Sequence, residues 1–202
     1  MPFESLLVLT GIMFASTWTP GPNNAMLSAS GASFGFRATL PHALGVALGF
    51  PLMLFICAMG LGQIVTEAAW LREVMRWLGV ALLGWVAFKI ATAPPPGRKA
   101  DVSNRKPFTF LQAAAFQWVN PKAWAMALGV VAQFVTGAAP VKTGLICAGV
   151  AAVGGITSAT GWAGFGVLMM RWLRTEMRFR LFSLIMAGIL LAGVLALILA
   201  DI

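Results

Sequence analysis

Hydrophobic positions in this chain come in long blocks rather than on alternating faces. Apolar stretches run over Phe3–Ser30, Ala38–Gln63, Leu71–Thr92, Phe108–Phe134, Lys142–Met170 and Leu181–Ala200. Each reaches the roughly 20 residues that a helix needs to cross about 30 Å of hydrocarbon. The pattern therefore predicts six transmembrane helices. Polar breaks between the blocks are short, except for Ala93-Pro94-Pro95-Pro96-Gly97 through Lys106, a proline-rich charged linker at 93–107 that divides the chain nearly in half. Three spans on either side of that linker put the second half into the membrane in the opposite direction. The expected fold is an all-α integral membrane protein of two inverted three-helix repeats, at 1–92 and 108–202, forming one transmembrane domain. Trp18 and Trp118, each seven positions ahead of an Ala-Met pair (Ala25-Met26, Ala125-Met126), leave a faint trace of the repeat.

The first and fourth blocks carry breaks near their middles, Thr19-Pro20-Gly21-Pro22-Asn23-Asn24 and Gln117-Trp118-Val119-Asn120-Pro121-Lys122. In hydrocarbon each unsatisfied backbone group costs several kcal/mol, so a broken helix survives only where protein buries it or a watery cavity receives it. Paired breaks in corresponding places of two halves point to a transporter site at the repeat interface. Pro22 removes a donor, and Gly21 is expected to supply backbone angles that other residues resist. Each half-helix beginning at a break turns a partly positive N-terminus toward the membrane interior. An amino acid offers such a site one carboxylate and one ammonium. Freed N–H groups and Lys122 suit the carboxylate; freed carbonyls and the amide oxygens of Asn23, Asn24 and Asn120 suit the ammonium. A single proline is better read as a packing kink, but two breaks flanked by three asparagines and a lysine favour a site. The candidate substrate-binding residues are Pro20, Gly21, Pro22, Asn23, Asn24, Gln117, Asn120, Pro121 and Lys122.

Composition narrows the class. Only 10% of the 202 residues are charged and mean hydropathy is +0.87, against about 25% charged residues in soluble domains. The net charge of +8 comes from residues scattered through short loops, which reads as membrane topology and excludes a nucleic-acid face. With the N-terminus outside, inner loops hold Arg37, Arg98, Lys99, Arg105, Lys106, Arg171, Arg174, Arg178 and Arg180, and outer loops hold Arg72, Arg76 and Lys142. Nine against three predicts both termini outside. Met1-Pro2-Phe3-Glu4 lacks a basic leader region, so the first block reads as an uncleaved span.

Chemistry at depth is sparse. Lys122 is the one charge near the middle of a span, where a lysine costs about 2.5–3.5 kcal/mol on insertion scales, which favours a role as carboxylate partner or gate. Glu4, Glu67, Glu73, Asp101, Glu176 and Asp201 fall in loops or at span ends. A proton-coupled cycle would therefore have to use His42, Lys122, a boundary acid or the substrate itself. His42, the single histidine, sits near the inner end of the second span beside Arg37 and is the candidate for proton coupling. Thr157, Ser158 and Thr160 either line a path or bond back to their own helix. Trp70, Trp77, Trp162 and Trp172 fit interface belts. Cys57 and Cys147 read as buried hydrophobes, no metal or cofactor is expected, and an enzyme lacks both a nucleophile–base pair and metal ligands. A channel, or an exporter of some other metabolite, is the rival reading.

Several segments resemble the LysE/RhtB amino-acid exporters of bacterial inner membranes: Thr19 to Asn24, Gly35-Phe36-Arg37, the second span around Gly45 and Gly49, Gly79–Lys89 with Ile90-Ala91-Thr92-Ala93-Pro94, and Phe116 to Ala123. The resemblance covers nearly the whole chain and is looser past Phe134. Within the family, the Pro-Gly-Pro-Asn-Asn form, the Lys-Ile-Ala-Thr segment and the Phe-Gln-x-Val-Asn run look most like the cysteine/O-acetylserine exporter branch. It implies a six-span, inner-membrane efflux protein for small amino acids or their derivatives, driven by the proton gradient, with function carried by Pro20, Gly21, Pro22, Asn23, Asn24, Asn120, Pro121 and Lys122. The chain departs from the family at Ala125-Met126-Ala127-Leu128, a stretch often aromatic there, and it has no tyrosine. Beyond substrate and lipid bilayer, the sequence leaves a homodimer open.

Overall fold

A computed structural model describes residues 1–93, 106–135, 139–170, 172–173 and 175–199. Most of the linker, with Arg98, Lys99, Asp101 and Arg105, lies outside the described residues, as do Arg171, Arg174 and Asp201. Among the described residues all regular structure is helical: α1 Phe3–Trp18, α2 Pro22–Phe34, α3 Phe36–Ile56, α4 Gly62–Glu67, α5 Ala69–Ala91, α6 Phe110–Phe116, α7 Pro121–Phe134, α8 Pro140–Met170 and α9 Glu176–Leu199. Four helical stretches are long and apolar enough to cross a membrane, Phe36–Glu67, α5, α8 and α9. The other two hydrophobic blocks are each split, into α1 and α2 and into α6 and α7.

Both splits follow from local chemistry. Pro22 and Pro121 each take the first position of the following helix, where a missing N–H is harmless and the ring's fixed φ suits a helix start. A capping box between Thr109 and Gln112 starts α6. The second block differs from expectation. Its helix is interrupted by a π-turn at Cys57–Leu61, with Gly60 at φ 113°, a left-handed angle at which only glycine is at ease. No proline marks this kink.

Small residues set the packing. A methyl group on Gly45 would overlap the Phe110 carbonyl oxygen, and one on Gly49 would lie 2.6 Å from Ala114 Cα, so α3 and α6 touch backbone to backbone. On Gly31 it would overlap the Ala163 carbonyl, and on Gly166 that of Ser28, which presses α2 against α8. Gly155 meets Ala47 of α3, whose carbonyl has lost its intrahelical donor to Pro51. Gly161 lies under the Trp18 ring. These contacts give Gly31, Gly45, Gly49, Gly155, Gly161 and Gly166 a packing role, whereas Gly149 has open space beside it.

Buried apolar residues divide into regions on either side of the helix breaks. One joins α1 (Leu9, Met13), the end of α3 (Met53, Leu54), α7 (Ala127, Val130) and the start of α8 (Cys147, Ala151). Another joins α2 (Leu27), the start of α3 (Ala43, Val46), α6 (Ala113) and the later part of α8 (Ala159). The two broken helices are therefore antiparallel, with α1 and α7 on one side of the breaks and α2 and α6 on the other. Trp70, Trp77 and Trp172 are exposed, and Trp162 is half-buried against this second region.

Candidate functional site

The two breaks meet. Asn23 and Gln117 form a reciprocal amide pair across them: Asn23 Nδ2 donates to Gln117 Oε1 at 2.9 Å, and Gln117 Nε2 donates to Asn23 Oδ1 at 3.3 Å. Gln117 is fully buried and also donates to the Ala113 carbonyl at 2.8 Å. Lys122 crosses in the other direction. Its Nζ donates to the Thr19 carbonyl at 2.7 Å, while its backbone N–H is capped by Asn120 Oδ1 at 3.2 Å.

Carbonyls freed at the end of α1 are taken up by side chains. Asn24 Nδ2 donates to Thr17 O and Thr19 O at 2.8 and 2.9 Å. Ser158 Oγ donates to the same Thr17 carbonyl at 2.7 Å. Because only an NH2 group serves two carbonyls, the Asn24 oxygen faces away from them. By the same reasoning the Asn120 oxygen is fixed on Lys122 N, and its NH2 points elsewhere. Asn24 Oδ1 and Asn120 Nδ2 have no partner among the described residues. The first-turn N–H groups of Asn23 and Asn24 have no acceptor within α2, as at any helix start.

These groups line a cavity of about 50 Å³ together with Ser16, Thr17, Val46, Phe50, Gly21, Ala123, Met126, Gly155 and Ala159. A water needs about 10–15 Å³ by this measure, so there is room for a few. Lining residues come from α1 (Ser16, Thr17), α3 (Val46, Phe50), α7 (Ala123, Met126) and α8 (Gly155, Ser158, Ala159), which places the cavity at the level of the breaks. Of the nine sequence candidates, Gly21, Asn23, Asn24, Gln117, Asn120 and Lys122 line the cavity, and Pro20, Pro22 and Pro121 do not. The prolines shape the breaks; Pro20 is exposed and Pro22 packs near Gly193.

Several sequence expectations change here. Gly21 has φ −173°, an extended angle open to any residue. Its glycine is explained by space, because a Cβ would sit 3.0 Å from Lys122 Cδ and 3.2 Å from Nζ. The freed carbonyls expected to hold a ligand ammonium are already occupied by Asn24, Ser158 and Lys122, which leaves the Asn24 oxygen as an acceptor. His42 lies near the start of α3 and is buried between helices: it is 2% exposed, stacks at a tilt on Phe108 with ring centroids 5.4 Å apart, and lies outside the cavity lining. Ser158 takes the path-lining role, while Thr157 and Thr160 bond back to Gly154 and Ile156 of their own helix. Sequence reading missed Ser16, Val46, Phe50 and Met126, ordinary residues of apolar helices that carry no signal of their position.

Chemically, the cavity offers a lysine with two remaining donors, two helix starts, an amide donor and an amide acceptor. That set matches a small zwitterion. It holds no nucleophile–base pair, and among the described residues no group of acidic, histidine and cysteine side chains is placed to bind a metal.

Comparison with known proteins extends the geometry. The family profile described as LysE type translocator matches residues 14–201. A protein named cysteine/O-acetylserine efflux protein from Shigella flexneri serotype 5b is 32% identical over 136 residues, 63% of this chain and 68% of its own. The protein of the same name from Escherichia coli K12 is 35% identical over 118 residues, 58% of each chain. No solved structure matches the chain.

Proposed function

The chain belongs to the LysE-type translocator family, and from that membership we propose that it exports small amino acids or derivatives of the cysteine and O-acetylserine kind from the bacterial cytoplasm. It is a multi-pass inner-membrane transporter rather than an enzyme. The observation that carries the substrate class is the lysine and the unpaired amide groups of two opposed helix breaks around one cavity. The carboxylate lies between Lys122 Nζ and the first N–H groups of α2, where ion and helix dipole act together. The ammonium meets Asn24 Oδ1, and the side chain extends toward Phe50 and Met126. The bulk of these two side chains in a cavity of about 50 Å³ suits a small substrate.

We further propose six spans, counting α1 with α2 and α6 with α7 as one crossing each, arranged as inverted repeats. The packing supports this: α3 lies on α8, α5 lies on α9, and α1 on α8 is matched by α6 on α3. Rocking of the halves about the paired breaks exposes the site to each side in turn. Both termini lie outside by the distribution of Lys and Arg. Export runs on the proton gradient, with His42, one turn from cavity-lining Val46, as the candidate proton carrier.

The test is counterflow of labelled amino acids in proteoliposomes, over a panel of cysteine, O-acetylserine, threonine, homoserine, leucine, lysine and arginine. Saturable exchange of a small neutral member is the expected result. Exchange of lysine or arginine alone would overturn the assignment of Lys122 to the carboxylate. No exchange from folded protein would favour a channel or a different metabolite.

A further inference from the structure

Buried polar groups continue one helical turn beyond the cavity, on three helices at once. On α2, Asn24 lines the cavity and Ser28 follows four residues later; on α8, Ser158 lines it and Trp162 follows by four; on α3, Val46 lines it and His42 precedes it by four. Residues four apart share a helix face about 5–6 Å along. The three form a tier on the side of the breaks that leads to the Gly35 turn, where Thr39 Oγ1 donates to Ser30 Oγ at 3.3 Å, both buried.

This tier is unusual in its hydrogen bonding. Neither ring nitrogen of His42 has a partner among the described residues, and neither does the buried Trp162 Nε1. Ser28 Oγ alone is satisfied, by the Asn24 carbonyl at 2.8 Å and the Trp162 carbonyl at 3.3 Å. Buried polar side chains are nearly always paired, and those that are not call for an explanation. Packing does not supply one, because an apolar ring would fill either place.

The tightness of the bundle does. On the tier's side, α2 and α8 touch backbone to backbone at Gly31 and Gly166. On the other side, Gly62 meets α7 through the tip of Leu128 at 3.1 Å and Gly144 meets Ala58 Cβ at 3.1 Å, contacts with side chains rather than backbone. One side of the breaks is closed by backbone against backbone and the other by side chains. We infer that Ser28, His42 and Trp162 line the second half of the substrate path, shut in this structure, through which a small zwitterion and its water pass between the Gly35 side and the cavity. The orphan nitrogens then find partners when α2 and α8 separate. This inference rests on the exporter reading above.

Site-directed labelling tests it without any substrate. Single-cysteine variants His42→Cys and Trp162→Cys, in a Cys57→Ala/Cys147→Ala background, are exposed to a membrane-impermeant methanethiosulfonate in right-side-out and inverted vesicles. Met126→Cys marks the cavity, and Leu44→Cys marks a lipid-facing surface of the same helix. Positions 42 and 162 are expected to label from the face opposite to that which labels 126, and faster than 44. Labelling of 42 and 162 from neither face, or only from the face that reaches 126, would overturn the inference; both nitrogens would then sit in a permanently closed, structural site. Should Trp162→Cys misfold, Ser28→Cys takes its place. A second variant, His42→Phe, removes the nitrogens and keeps a ring, and should slow labelling at Ser28→Cys by about tenfold by favouring the shut state. An unchanged rate would equally refute the idea. Failed counterflow would remove the exporter reading while leaving the labelling pattern legible.

Discussion

The amide pair between Asn23 and Gln117 gives the sharpest test of how the two breaks are joined. Replacing either residue by leucine deletes the two bonds of the pair, one of 2.9 Å and one of 3.3 Å, and Gln117→Leu also loses the 2.8 Å bond to the Ala113 carbonyl. A net bond is worth about 0.5–1.5 kcal/mol, and the longer one belongs at the low end of that range. In Asn23→Leu the Gln117 oxygen loses its donor in a fully buried place, although Nε2 keeps the Ala113 carbonyl. Such an orphan costs about 1–3 kcal/mol. Gln117→Leu leaves the half-buried Asn23 beside the cavity, where water can reach it, so its penalty from the pair should be smaller, with the lost Ala113 bond added to it and carried equally by the double variant. Replacing both at once leaves two apolar side chains in contact, a change that is close to neutral when shape is kept. The expected coupling in the double-mutant cycle is thus about 1–2 kcal/mol, because the lost Ala113 bond is common to Gln117→Leu and the double variant and cancels. Unfolding of the purified protein, followed by the fluorescence of its eight tryptophans, measures it. Additive effects, within about 0.5 kcal/mol, would mean that the pair does not hold the breaks together.

Other expectations can be checked alongside. Asn23→Ala should raise the KM for counterflow more than it lowers the amount of folded protein; an unchanged KM would return this asparagine to a purely structural role. Lys122→Ala removes the intramembrane charge, which spares about 2.5–3.5 kcal/mol of insertion cost, so the protein should reach the membrane normally and fail to transport; normal export would remove Lys122 from the site. Gly166→Val drives a side chain into the Ser28 carbonyl, and overpacking of about 1–3 kcal/mol or more should appear as lost thermal stability, whereas a stable variant would show that α2 and α8 are not pressed together. Thr109→Ala breaks the capping box of α6 and should lower stability by about 1 kcal/mol without altering KM, read from melting and counterflow together.

Much of this was legible in the sequence for a simple reason. Hydrocarbon tolerates so few conformations that long apolar blocks mean helices, and a proline after a polar residue in mid-block means a break. That reasoning found both breaks and the cluster around them. It went astray where the answer depends on what lies across the bundle. Gly21 looked like a conformational glycine and is a spatial one, because Lys122, a hundred residues away, fills the place of its Cβ. The burial of His42 could not be read along its own helix, because it is completed by Phe108, 66 positions later, just ahead of α6. Gly60 gave no warning, since a glycine among many in an apolar block carries no mark of a left-handed angle. Gln117 stood out only as part of a motif; its partner Asn23 is 94 positions away.

That reach across the chain also bears on how the protein is made. The carbonyl at Thr17 is closed by Ser158, 141 residues later, and Ser28 leans on Trp162, 134 residues later. While the ribosome is still adding the first half, the broken opening helix has no α8 to lie against, and its asparagines and serines face lipid or the insertion machinery. A broken helix made well before α8 is therefore seated only once α8 arrives, and a nascent chain halted ahead of α8 is one whose α1–α2 helix a quality-control protease can find.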